Sequence, residues 1–148
     1  MKTLFSIFVI LAAQAAHAGE STMQAIGDFD VKLTPQTSTD TPPWGRMRLD
    51  KVFHGPLDGT SVGEMLAVRT EVPGSAGYVA LEQVSATLNG RKGTFFFQHS
   101  GTMDKGASSL DLNVIPDSGT GELKGLRGKM KIDIDGGKHH YDFTYTLP

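Results

Sequence analysis

The residues best suited to chemistry are Glu82 and His99, which stand in the stretch GYVALEQVSATLNGRKGTFFFQHSG, residues 77–101. A carboxylate and an imidazole in contact can hold a proton between them and serve as general acid and base. Among phenylalanines the carboxylate loses hydration, which raises its pKa, while a neighbouring imidazolium lowers it again. Contact depends on the chain between them. Asn89-Gly90 is the strongest short-range hairpin signal in the sequence. With these two at the centre of a type I′ turn, Leu88 pairs with Arg91, Glu82 faces Phe97 and Ala80 faces His99. Glu82 and His99 then share a face as diagonal neighbours, roughly 7–8 Å apart at the backbone. A three-residue loop or a bulge would reverse that facing.

The same face carries Tyr78, Ala80, Val84, Ala86, Phe95 and Phe97, against Gln83, Ser85, Thr87, Lys92, Thr94, Gln98 and Ser100 opposite. The first set is the core face, although Val79, Leu81 and Phe96 spoil the polarity of the second. Two uses of the pair stay open. One is a hydrogen-bonded structural network inside the core, with Tyr78 as a further partner. The other is a site for a small, mainly apolar molecule, with Tyr78, Phe95, Phe97, His139, Tyr141 and Tyr145 as its ligand-binding walls. On that reading Glu82 is the base, and His99 or a tyrosine the donor, of isomerase or cyclase chemistry. Ala80, Ala86, Gly93 and Gly101 would leave room beside it.

The elements that position these residues are strands. GDFDVKL alternates Phe29, Val31 and Leu33 with charged residues, so a first strand is predicted over residues 23–33. RMRLDKVFHG and GTSVGEMLAVRTEV flank the turn GPLDG. SSLDLNVIP presents Leu110, Leu112 and Val114 on one face, GKMKIDI presents Met130, Ile132 and Ile134, and HYDFTYTL presents Tyr141, Phe143, Tyr145 and Leu147. Residues 35–43, rich in Thr and Pro, read as a flexible connection. About eight strands, each apolar on one side, must close on themselves or stack as two sheets. Short connections favour an all-β, closed, mainly antiparallel eight-stranded barrel over a sandwich.

Other constellations carry less. SGTGELKGLRG has the spacing G-x-G-x-x-x-G with no helix to follow, so its glycines serve turns and not a phosphate. His139 and His140 are adjacent in a strand and point to opposite faces, no H-x-H pair occurs, and no metal is expected. His54, beside Gly55-Pro56, fits a strand end. Neither a G-x-S-x-G elbow nor a cysteine nucleophile is present, and no cofactor motif is found. Arg46, Arg48 and Arg69 are scattered strand arginines of the kind that is usually solvated, and Trp44 fits a rim or plug position at a strand entrance.

MKTLFSIFVILAAQAAHA has a positive Lys2, an apolar run and the small residues of a signal-peptidase site, so an export signal is expected to be cut after Ala18. The mature chain, residues 19–148, would be one domain in the periplasm or secreted, without a membrane anchor. With no cysteine it must hold by its core alone, and a lipoprotein anchor is excluded. Removing Lys2 from the 14 basic residues leaves 13 against 16 acidic, a formal charge of −3 without histidines. No basic stripe offers itself to nucleic acid.

The segments VFHGPLDGTSVGEML, GYVALEQVSATLNGRKGTFFFQHSGTMDKG, PDSGTGELKGLRG and HYDFTYTLP resemble, in that order, those of an uncharacterised bacterial family of small barrels. The resemblance implies an eight-stranded barrel similar to that of plant allene oxide cyclase, and it implies no activity. No cyclase catalytic motif matches residue by residue, and fold alone does not imply function. Two function classes are therefore expected: an exported barrel binding a small apolar ligand, or a non-catalytic assembly or envelope-stress barrel with a filled core that forms a homo-oligomer.

Overall fold

The computed structural model describes residues 21–37 and 43–148, so the export-signal reading of residues 1–18 lies outside the described residues. The strands are β1 (Met23–Pro35), β2 (Gly45–His54), β3 (Leu57–Arg69), β4 (Ala76–Leu88), β5 (Arg91–Asp104), β6 (Ala107–Val114), β7 (Arg127–Asp135) and β8 (Lys138–Thr146). Each pairs antiparallel with its neighbour in sequence, and β1 pairs with β8 to close the barrel. This is the up-and-down topology that short connections favour. Pro35, expected to open the connection, instead pairs with Met47 at the end of β1. Residues 38–42 lie outside the described residues.

Turn chemistry sets the register. Asn89 (φ 46°) and Gly90 (φ 84°) take the left-handed conformations of a type I′ turn, and Lys105-Gly106 and Gly136-Gly137 do the same. Leu88 therefore pairs with Arg91 and Glu82 with Phe97, which puts Glu82 and His99 on the inner face. Along the other strands the apolar residues of each alternation also turn inward.

One half of the interior is solid. Phe95 packs edge-on against Phe97 at 4.9 Å, Phe97 against Phe143 at 5.5 Å, and Phe143 stacks on Tyr145 at 5.2 Å. The segment between β6 and β7 closes this end. Its one 3-10 turn, Gly121–Leu123, buries Leu123, and Leu126 follows it inward. Its backbone and side chains also satisfy the edge of β5: Thr120 N donates to Thr94 O at 2.8 Å, and Thr94 N to Thr120 Oγ1 at 3.0 Å. The glycine-rich stretch is thus a plug, and a Cβ on Gly93 would run into the Thr120 carbonyl.

The opposite half is open. Met65, Tyr78, Leu110 and Ile132 are only partly buried, and Ile134, though inward by parity, is 61% exposed. The joint between β6 and β7 is weak there: the two strands pair at Asn113↔Lys129 alone, beside a Lys129–Asp111 ion pair at 2.5 Å.

Candidate functional site

Glu82 and His99 meet. His99 Nε2 lies 2.7 Å from Glu82 Oε2, and both side chains are buried. Two further residues join them. Lys51 Nζ donates to the same Oε2 at 2.8 Å, and Ser61 Oγ donates to Oε1. Glu82, His99, Lys51 and Ser61 are the only buried polar or charged side chains among the described residues. They run diagonally across β2, β3, β4 and β5, as tilted barrel strands require of one interior layer. The layer separates the solid half of the barrel from the open one.

Neither Lys51 nor Ser61 is among the site residues expected from sequence. Lys51 had a signal, since it shares the strand face of the inward Leu49 and Phe53. Its ammonium sits 4.8 Å from the centre of the Phe29 ring and 5.6 Å from that of Phe53, a cation–π setting that offsets part of its lost hydration. Ser61 had only its parity with Gly59 and Gly63.

Burial pushes the Glu82 carboxyl up, but the His99 hydrogen bond and the Lys51 charge together outweigh it, and its pKa falls to about 2. The expected balance between desolvation and a neighbouring cation is thus decided mainly by groups that hold the charged form. His99 is shifted the other way: burial pushes its pKa below the ordinary value, helped by Lys51 and opposed by Glu82. The layer at neutral pH is a carboxylate, an ammonium, a hydroxyl and a neutral imidazole. A carboxylate can only accept, so Nε2 carries the imidazole proton and Nδ1 keeps its lone pair.

Nδ1 makes no hydrogen bond to a described residue, and among the described residues no buried side-chain nitrogen or oxygen is both sealed and unpartnered. It therefore borders accessible space. Beyond it lies Tyr78, whose ring is centred 6.4 Å from that of His99 and crosses Gly101 where a Cβ would otherwise stand. The Tyr78 hydroxyl has no described partner, and burial with the nearby Glu82 charge raises its pKa. Above Tyr78 and Gly101 a cavity of about 470 Å³ is lined by Met65, Ala67, Leu110 and Ile132, with Arg69 and Asp133 among its charged residues.

Residues 25–145 match the family described as "Protein of unknown function (DUF3224)". The chain belongs to the DUF3224 family. It is similar over 86% of its length to a crystal structure of a DUF3224 protein with unknown function from Shewanella oneidensis MR-1, at 48% identity, a TM-score of 0.81 and 99% coverage of that chain. No curated protein matches. The resemblance read from the four sequence segments is to this family, and its implication of an eight-stranded barrel holds.

In this DUF3224 barrel most of the expected ligand walls stand elsewhere. Phe95, Phe97, Tyr141 and Tyr145 are packed in the solid half, where large aromatic side chains leave no room for a ligand. Tyr141 instead pins the β2–β3 turn, accepting from Leu57 N at 3.0 Å and donating to His54 O at 3.1 Å. Tyr145 accepts from Asn89 Nδ2 at 2.7 Å and fastens the hairpin turn. His139 lies against the Phe29 ring, 5.0 Å between centres, and makes no hydrogen bond to the polar layer. Tyr78 is the one expected wall residue that lines the open half. Trp44 is no plug: it lies on the outer surface near Leu66, Val68 and Val79. His54 ends β2, 3.0 Å from Asp30. Arg46 and Arg48 are solvent-facing ion-pair partners of Glu64 and Asp50.

Proposed function

We propose that this DUF3224 barrel binds a small, mainly apolar molecule in the open half of its interior. The observation that carries the reading is the change of character across the polar layer: packed aromatics on one side, and on the other an accessible apolar cavity of about 470 Å³. Concave, apolar sites with a few convergent polar groups are the usual form of a ligand site. Acid–base chemistry, if the barrel has it, belongs to His99 and not to Glu82, whose two oxygens are both engaged. Glu82 is then the positioning residue that fixes the imidazole. Binding of the neutral fluorophore N-phenyl-1-naphthylamine tests the reading. One molecule per chain should bind, and Leu110→Trp, which fills the cavity, should abolish it. Binding unchanged by that substitution would move the ligand out of the barrel.

A second reading, self-association, is favoured by the outer surface. Leu66 and Val79 are directly opposed across β3 and β4, and with Trp44, Val68 and Leu81 they expose large apolar side chains on one side of the barrel. Contiguous exposed apolar surface marks interaction sites. Its occupant would be a second copy of the chain, and the two readings use opposite faces of the same strands.

A further inference from the structure

We infer that the open half of the barrel selects a molecule whose polar head is a neutral hydrogen-bond donor, an alcohol or phenol, which it delivers to Nδ1 of His99. The inference rests on the reading of that half as a binding site and adds the chemical class of the head group.

Each donor group of the polar layer is already engaged by Glu82, and the ammonium of Lys51 also sits against the Phe29 and Phe53 rings. Lys51, Ser61 and the Nε2–H of His99 all point to the two oxygens of Glu82, at 2.8 Å for Lys51 and 2.7 Å for His99. What the layer leaves toward accessible space is an acceptor, the Nδ1 lone pair. A carboxylate head arriving there would set acceptor against acceptor, with the one buried cation already paired to Glu82, and would leave its own hydration behind. A hydroxyl head would donate to Nδ1, and its oxygen could accept from the Tyr78 hydroxyl, which has no described partner. The neutral state of His99 follows from its setting: it is 3% exposed, edge-on to Phe97 at 6.5 Å, beside Tyr78, and its carboxylate partner already holds the Lys51 ammonium. Gly101 makes the approach feasible, because without a Cβ it leaves room for the Tyr78 ring of β4, which lines the cavity and is centred 6.4 Å from the His99 ring.

The matched probes 2-naphthol and 2-naphthoate test this, since they share a ring system and differ in the head group. Both are titrated at neutral pH into the ¹⁵N-labelled chain, and the ring nitrogens of His99 are followed by long-range ¹H–¹⁵N correlation. The free protein should show the Nε2–H tautomer, and 2-naphthol should shift the Nδ1 resonance as it accepts a hydrogen bond. Its affinity should exceed that of 2-naphthoate by about tenfold or more, one hydrogen bond's worth of discrimination. His99→Phe should erase the preference while keeping the apolar contribution to binding. If that variant fails to fold, the tautomer, the Nδ1 shift and the affinity ratio in the natural chain decide alone. Equal or tighter binding of 2-naphthoate, or an unmoved Nδ1, would overturn the inference and leave the binding site standing. No binding of either probe would overturn the binding site itself, and the inference with it.

Discussion

Lys51 and Glu82 stand on strands that do not pair with each other, yet Nζ lies 2.8 Å from Oε2. Two strand spacings separate β2 from β4, roughly 10 Å, and the lysine stem crosses that gap over β3. The residues of β3 beneath the crossing are small: Ser61 opposite Lys51 and Gly63 opposite Glu82. A Cβ on Gly63 would come within 2.6 Å of Leu49 Cδ1 and 2.9 Å of Glu82 Cα. Gly63→Ala should therefore destabilise the barrel by about 1–3 kcal/mol through overpacking, read as a lowered urea midpoint with an unchanged m-value.

The crossing also fixes how the pair responds to substitution. Lys51→Met leaves a buried carboxylate without its cation and should cost about 3–5 kcal/mol. Adding Glu82→Gln removes the stranded charge while keeping an acceptor for the layer, so the double variant should be more stable than Lys51→Met alone. A double-mutant cycle by urea unfolding measures the coupling.

Acid should weaken the barrel in two stages. The His99 pKa lies below its ordinary 6.5 in the folded chain, so the unfolded chain takes up that proton first, and the neutral imidazole's contribution is complete above about pH 6.5 and lost as pH falls below it. The Glu82 pKa drops from 4.5 to about 2, so its contribution, on the order of 3 kcal/mol, is complete above about pH 4.5 and lost as pH falls toward 2. Both slopes have the same sign. Urea midpoints across this range should fall continuously on acidification, and His99→Phe should remove the upper stage and, by taking away a hydrogen bond that holds the Glu82 carboxylate, shrink the lower one.

Leu66→Lys and, separately, Val79→Lys should each reduce the self-associated mass in sedimentation velocity without changing the unfolding free energy by more than about 0.5 kcal/mol, because both side chains face outward. A change in stability with no change in mass would remove the outer face as an interface between copies.

The export reading makes a simple demand. Chain recovered from the periplasm or medium of a bacterial host should begin at Gly19, and intact-mass measurement detects the loss of residues 1–18. Retention of Met1 in that fraction would refute the cleavage site.

The site was legible wherever turn chemistry and the period of two act together. Asn89-Gly90 fixes the register of β4 and β5, so Glu82 and His99 fall on the inner face with no knowledge of the rest of the barrel. Lys51 stood between two inward residues, but a lysine in an alternating strand is ordinarily solvent-facing, and its inward position is stable only because Glu82 and two aromatic rings receive it. Which half of the barrel is solid depends on how side chains from several strands fill shared space, and the alternation of β5 and β8 marks Phe95 and Tyr145 as inward without saying what meets them. The plug over residues 115–126 was readable as turns, but Leu123 and Leu126 do not alternate, and nothing in their spacing tells that they seal the barrel.

The single pairing between β6 and β7 changes what kind of object this barrel is. The chain's first and last strands are joined by a continuous ladder of seven residue pairs, from Met23↔Tyr145 to Phe29↔His139. The place where the circle is weakest lies inside the sequence, at Asn113↔Lys129. Topologically the molecule is a rolled ribbon that begins at β7, passes through the point where its own ends meet, and finishes at β6. A gene rearranged to start at β7 would keep every long ladder, and with residues 115–126 left attached behind β6 it would keep the plug as well.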